Sequence, residues 1–211
     1  PVLLLDAGAS VEVRPERLVQ FAHMGAAFME SVLGVAHPTV ALLSVGREAG
    51  KGTAEVIEAH GRLADGPLNF VGNVEGFDLP AAVARVVVTD GFTGNVALKV
   101  MEGSSRTVRN AIGDAVRSGV VPRIGGLLVR GAVHRVQDQL DPERVGGAIL
   151  LGMRKPVVLA HGSFGPAGIA GAVRLARRAV DEEMVDRTAA ALEAAGALRS
   201  AAVGSVAAND V

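Results

Sequence analysis

Three glycine-bearing turns carry the polar side chains with which this chain can do chemistry. The first is Asp90-Gly91-Phe92-Thr93-Gly94-Asn95, which follows the apolar run Val86-Val87-Val88 and leads into Val96, Ala97, Val100 and Met101. A strand, a short glycine turn and a helix N-terminus leave backbone N–H groups aimed at one spot, which the helix dipole makes favourable for an anion. Asp90 and Gly91 are predicted to end the strand, and Thr93 and Gly94 to stand at the cap of a helix beginning near Asn95. Lys99, one turn further in, either approaches that spot or snorkels away from it. The second turn, Gly46 to Thr53, holds Lys51 between Gly50 and Gly52. Only three of the 21 basic residues are lysine, so a lysine set between glycines is a candidate anion ligand. The third is His161-Gly162-Ser163, followed by Phe164-Gly165-Pro166.

These turns need elements to position them. The β-branched run Val86 to Val88 has the character of a central parallel strand covered on both faces. Further strands are predicted at 2–5, 40–45, 68–71 and 157–160, with Asn73 in the turn after the third of these. Apolar residues at three- and four-residue spacing predict helices from Pro15 to near Gly34, from about Thr53 to Leu63, after the HGSFGPAG turn with Ile169, Val173, Leu175 and Ala176, and from about Glu182 to Ala195. Strand, polar turn and helix in repeated order predict an α/β fold with a mostly parallel sheet. Ligands then bind beyond the carboxyl ends of the strands, so the turns at Lys51, Asn73, Asp90–Asn95 and His161–Ser163 are expected to converge on one crevice.

Between Asp114 and Asp138 no acidic residue occurs, and Val120, Val121, Ile124, Leu127 and Leu128 alternate with Arg117, Arg123 and Arg130. With Pro122 inside it, this segment is predicted as a basic, apolar helical hairpin over 112–138. Its faces suit a dimer interface or core contact, or docking on anionic lipid. The domain is expected to span 1–198, with a flexible tail at 199–211. Because the chain starts at Pro1 and enters a strand at once, an N-terminal portion is expected to be missing.

Bulk properties exclude several classes. A net charge of −1 argues against a general nucleic-acid binder, and 49% hydrophobic content with 20% charge excludes a disordered chain. The absence of cysteine removes disulfides and thiolate chemistry. No apolar run reaches the ~18 residues of a spanning helix. No metal and no cofactor is expected, and a nicotinamide-dependent dehydrogenase is disfavoured because no G-x-G-x-x-G follows the first strand.

The blocks DAGASVEVRPERLVQFAHMG, SVGREAGKGT, FVGNVEGFDL, VVVTDGFTGNVALKVMEG and VVLAHGS, in this order, resemble the bacterial acyl-ACP:phosphate acyltransferase family, PlsX, over about residues 2 to 180. The resemblance implies a fold similar to phosphotransacetylases and isocitrate/isopropylmalate dehydrogenases. It also implies transfer of a long-chain acyl group from acyl carrier protein to inorganic phosphate, a homodimer, and a cytoplasmic protein peripherally attached to the inner face of the membrane. Family members are longer and begin with a further α/β segment. Lys51 matches the lysine of the family's G-x-E-x-x-K-G turn and Asn95 the asparagine of D-G-F-x-G-N, which implies active-site roles; Asp90, Lys99 and His161-Gly162-Ser163 match as well. Ser10, Arg47, Ala49, Phe77 and Phe164-Gly165-Pro166 depart from the family pattern.

Acyl transfer to phosphate requires an anion site and donors for the thioester oxygen. Phosphate dianion is itself a nucleophile near neutral pH, so no dedicated base is needed. On this reading Lys51 and the N–H groups near Gly94 and Asn95 hold phosphate, and Asn95 is the oxyanion donor. Asp90 orients a lysine or closes the turn. His161 either protonates the leaving thiolate or is a strand-end histidine bonded to backbone, and Ser163 caps the following helix. An acyl-CoA-dependent phosphotransacetylase and a non-catalytic phosphate- or partner-binding remnant are the alternatives.

Overall fold

The computed structural model describes residues 2–139, 146–162 and 164–197. Four strands, β1 (Leu3–Leu5), β2 (Val40–Leu43), β3 (Phe70–Val74) and β4 (Val86–Val88), form one parallel sheet in the order β1-β4-β2-β3. A strand's side chains alternate between its two faces. Accordingly Val86, Val88, Val40 and Leu42 share a core with Leu18, Phe21, Ala22 and Met29 of helix α1 (Pro15–Ser31) and with Ala59 and Leu63 of α2 (Ala54–Ala64). On the other face Val87 joins Ala41, Leu43, Val74, Leu79 and Ala84. The β4 valines are 0–2% exposed, and burying such a side chain is worth about 1.5–3 kcal/mol, which makes β4 the anchor of the sheet. Helix α1 reaches it closely because Gly25 faces Val86, where a Cβ would lie only 2.6 Å from Cγ1.

The remaining helices are α3 (Gly91–Arg117), α4 (Val120–Gln139), α5 (Pro166–Asp181) and α6 (Met184–Ala194). Helices α3 and α4 are joined through Ser118 and Gly119, and Gly126 packs against Val116 near that turn. The α/β class with a mostly parallel sheet is therefore as the sequence predicts.

Several details differ. The first arm of the hairpin begins well before the predicted 112–138 segment, because α3 runs unbroken from Gly91 to Arg117. Pro122 does not interrupt α4, since it lies in the first turn, where its missing N–H has no partner to lose. The third strand starts later than predicted and takes in Gly72, Asn73 and Val74. A register shift against β2, with Gly72 at φ +88°, puts an extra residue into β3 and leaves both Asn73 and Val74 buried. On α5 the packed residues are Gly168, Gly171, Ala172 and Ala179, whereas Ile169 and Val173 are exposed, because the backbone at Gly146 lies against Gly171 and admits only small residues there.

The predicted strand at 157–160 is real but short, and it belongs elsewhere. As β6 (Val158–Leu159) it pairs antiparallel with β5 (Ala148–Ile149) in a separate two-stranded sheet. The tail at 199–211 lies outside the described residues. Among the described residues no helix is long and apolar enough to cross a membrane.

Candidate active site

The parallel arrangement puts the four turns that leave β1, β4, β2 and β3 side by side at one edge. The β1 turn is built around Asp6, which is 4% exposed. Its Oδ1 accepts from the backbone N–H groups of Gly8 and Ala9 at 2.8 Å, and its Oδ2 from the N–H and Oγ–H of Ser10 at 2.7 Å. Burial pushes this carboxyl up. The hydrogen bonds from Ala9, Ser10 and Gly8 outweigh burial and hold it below the ordinary value of 3.8.

The β4 turn is shorter than the sequence suggests, and α3 starts at Gly91, four residues before Asn95. Asp90 is the N-cap: its Oδ1 accepts from the Thr93 N–H at 2.8 Å, and its carbonyl from the Gly94 N–H at 3.0 Å. Asp90 therefore closes the turn. Thr93 and Gly94 lie inside the helix, so the unpaired first-turn donors are those of Gly91 and Phe92 rather than those near Gly94 and Asn95. Gly91 and Gly94 are the only buried residues of α3. A Cβ on Gly94 would overlap the Asp6 carbonyl oxygen and one on Gly91 the Ser10 carbonyl oxygen, so the helix root rests directly on the β1 turn. Asn95, half-buried, faces Gly8, whose Cβ position is 3.5 Å from the Asn95 side chain. Lys99 is exposed one turn beyond Asn95.

The β2 turn carries Lys51 and is tied down at several points. The Lys51 carbonyl accepts from Ser44 Oγ at 2.8 Å, its N–H donates to the Glu48 carbonyl at 3.0 Å, and Asn73 Nδ2 donates to the Glu48 carbonyl at 2.9 Å. Gly52 adopts φ +116°, and a side chain there would meet Ser44 Oγ at 2.8 Å, so only glycine fits. Arg47 bridges to the buried Asp78 at 2.8 Å and lies over the exposed Phe77 ring at 5.8 Å. The Lys51 side chain is exposed, and among the described residues no ion pair engages its ammonium.

Lys51 thus stands on the turn after β2, and Asn95 in the second turn of α3, the helix that follows the adjacent strand β4. His161 and Gly162 do not follow a strand of the four-stranded sheet. They follow β6 of the small sheet, both exposed, with the His161 ring 5.9 Å from that of Phe164. Gly165, not Ser163, is the cap of α5, and Ser163 lies outside the described residues. The sequence reading also passed over Asp6 and placed Asn73 in a turn. The first could have been found from the acid that opens the Gly-containing run DAGAS directly after the strand, a pattern in which a carboxylate collects the N–H groups of its own turn. An open groove runs from Ala9 and Ser10 along Arg14 and Arg17 to Arg62, and neither Lys51 nor Asn95 lines it.

The chain is thus an α/β domain with a parallel sheet, whose carboxyl edge carries a helix N-terminus, a lysine and an asparagine; such edges are where open parallel sheets bind their ligands. The chain belongs to the family described as "Fatty acid synthesis protein", whose model matches residues 1–187. It is 45% identical over 193 residues to a phosphate acyltransferase of Thermobifida fusca (strain YX), covering 89% of this chain and 53% of that relative. It is 42% identical over 183 residues to a phosphate acyltransferase of Heliobacterium modesticaldum, covering 87% and 55%. A third, from Oceanobacillus iheyensis, is 40% identical over 194 residues, covering 92% and 58%. The chain spans about half the length of the curated relatives it matches.

Proposed function

We propose that this chain is part of a phosphate acyltransferase that moves a long-chain acyl group from acyl carrier protein to inorganic phosphate, giving acyl phosphate for phospholipid synthesis. The observation that carries the reading is the placement of Lys51 on the β2 turn and of Asn95 near the start of α3 after the adjacent strand β4, in a chain whose relatives bear the name phosphate acyltransferase. Phosphate is held by the Lys51 ammonium and the first-turn N–H groups of Gly91 and Phe92. One of its oxygens attacks the thioester carbonyl carbon while the Asn95 amide donates to the carbonyl oxygen as it becomes an oxyanion. The carbon–sulfur bond then breaks. A thiol of pKa about 8.5 leaves readily as thiolate and takes its proton from solvent, so the mechanism assigns no step to His161. Asp90 acts on the helix start and not on the substrate; its negative charge opposes phosphate binding, which makes the Lys51 charge the more necessary.

The α3–α4 hairpin gives the same reading a location. Val120, Val121, Ile124, Leu127 and Leu128 are 56–83% exposed among Arg117, Arg123 and Arg130, a composition that suits the interface of an anionic bilayer on the cytoplasmic side. Dimerisation with a second copy is part of this proposal.

The test is acyl-phosphate formation from palmitoyl-ACP and phosphate, by this chain and by the chain joined behind the N-terminal half of the Thermobifida relative, each with and without Lys51→Ala. Acyl phosphate that depends on Lys51 in either form supports the reading. Activity with palmitoyl-CoA but not palmitoyl-ACP transfers it to a phosphotransacetylase-like enzyme, and inactivity of both forms with both donors overturns it.

A further inference from the structure

Asn73 is a buried amide whose two ends face different elements. Its Nδ2 lies 2.9 Å from the Glu48 carbonyl and 3.4 Å from the Lys51 carbonyl, and its Oδ1 lies 2.9 Å from Nδ1 of His60 on α2. The nitrogen must face the two carbonyls, because a flipped amide would set its oxygen against two other oxygens. With that orientation fixed, Oδ1 can only accept, so His60 Nδ1 must carry the hydrogen. The imidazole is itself held by Phe70 on β3, edge to face, with ring centroids 5.1 Å apart.

We propose that His60 and Asn73 form a relay that positions Lys51: Phe70 holds the His60 ring, His60 Nδ1–H orients the Asn73 amide, and Asn73 binds the turn at Glu48 and at the lysine's own carbonyl. Neither residue touches substrate, so both are positioning residues. The bulge at Gly72 is what makes the relay possible, since it buries Asn73 beneath the lysine turn. The catalytic consequence rests on the proposed role of Lys51 in phosphate binding; the relay itself does not.

The first test uses the unmodified chain. Nitrogen-15 chemical shifts of His60 near neutral pH should report the Nδ1–H tautomer; an Nε2–H tautomer overturns the relay. The second is hydrogen exchange at the Lys51 amide, which donates to Glu48 within the turn. Asn73→Leu keeps the volume and removes every hydrogen bond, and should speed that exchange about fivefold or more. His60→Phe keeps the aromatic contact with Phe70 and removes the donor, and should speed it about threefold. Unchanged exchange in both variants overturns the proposal. In the acyl-transfer assay His60→Phe should raise the KM for phosphate and have no further effect once Lys51 is alanine, because the relay acts through that residue. Additive losses there would show general damage instead and overturn the positioning role. The tautomer and exchange readouts need no acyl donor, so they decide the relay even if the transfer reaction is not the one proposed.

Discussion

The carboxyl edge of the parallel sheet and the α3–α4 hairpin share one helix and obey opposite rules. At its root α3 is locked: Gly91 and Gly94 are buried, the Asp90 cap is made, and the backbone lies against Asp6 and Ser10. Beyond that root the same helix buries nothing further and carries Val96, Val100, Val108 and Ile112 exposed, as α4 does Val120 to Leu128. The edge is assembled from short polar contacts between its turns and the helix root. The hairpin is a projecting apolar surface whose stability depends on helix propensity and on its own pairing. Under the proposed function, chemistry that needs a lysine and an asparagine in register would use the first region, and adhesion to a soft or a second apolar surface the other.

Substitutions that exchange the two environments break this comparison most directly. Gly94→Ala puts a methyl group onto the Asp6 carbonyl oxygen, a backbone atom that cannot rotate away, and should cost about 3 kcal/mol or more in chemical denaturation, unseating α3 from the sheet. Lys51→Ala should leave stability nearly unchanged and lower acyl-phosphate formation about 100-fold, the usual cost of removing one electrostatic contact to a reacting anion.

Asp6→Asn probes the polar pinning alone. The folded carboxyl titrates below its unfolded value of 3.8, so its contribution is fully present above that value and fades as pH falls through the folded pKa. The variant should be less stable than the parent by about 2 kcal/mol at neutral pH, with the gap closing on acidification below 3.8 in pH-dependent urea melts. A gap that stays constant would place the loss in packing instead of in the charged acceptor.

On the hairpin the same glycine change should reverse sign. Gly103→Ala on α3 meets no atom within 4 Å, and should stabilise by about 0.5–1 kcal/mol because the only term left is helix propensity. The smallest stability effect is expected for Val121→Glu with Leu128→Glu, at side chains 80% and 83% exposed, within about 0.5 kcal/mol. That double variant should nevertheless abolish sedimentation with phosphatidylglycerol vesicles if the hairpin docks on lipid. Retained sedimentation would move the docking surface elsewhere.

Much of the edge was legible from single residues. The β4 valines announced a strand covered on both faces, and α2 starts within a residue of the predicted Thr53, which is its cap and accepts from the Val56 N–H. The α3 start was misplaced because Asp90 reads equally well as a strand terminator and as a cap, and only the bond to Thr93 separates the two. Asn73 looked like a turn residue because Gly72 precedes it; a bulge leaves no mark in composition beyond that glycine. His161 was grouped with Lys51 because both follow a valine-rich strand, and nothing local tells which sheet a strand joins.

The sequence by itself determined the local events: which runs extend, which turn, where glycine is obligatory, and that a basic apolar segment without acids would form helices. Those depend on side-chain sterics and periodicity within a few residues. Tertiary structure decided the insertion of β4 between β1 and β2, which sets the β2 turn that holds Lys51 next to the start of the helix that holds Asn95, and the placement of β6 in another sheet. It also decided the partners of Asp6 and Asn73. Such choices minimise the polar groups left unpaired when the whole chain is packed, a condition that no short stretch of sequence can evaluate alone.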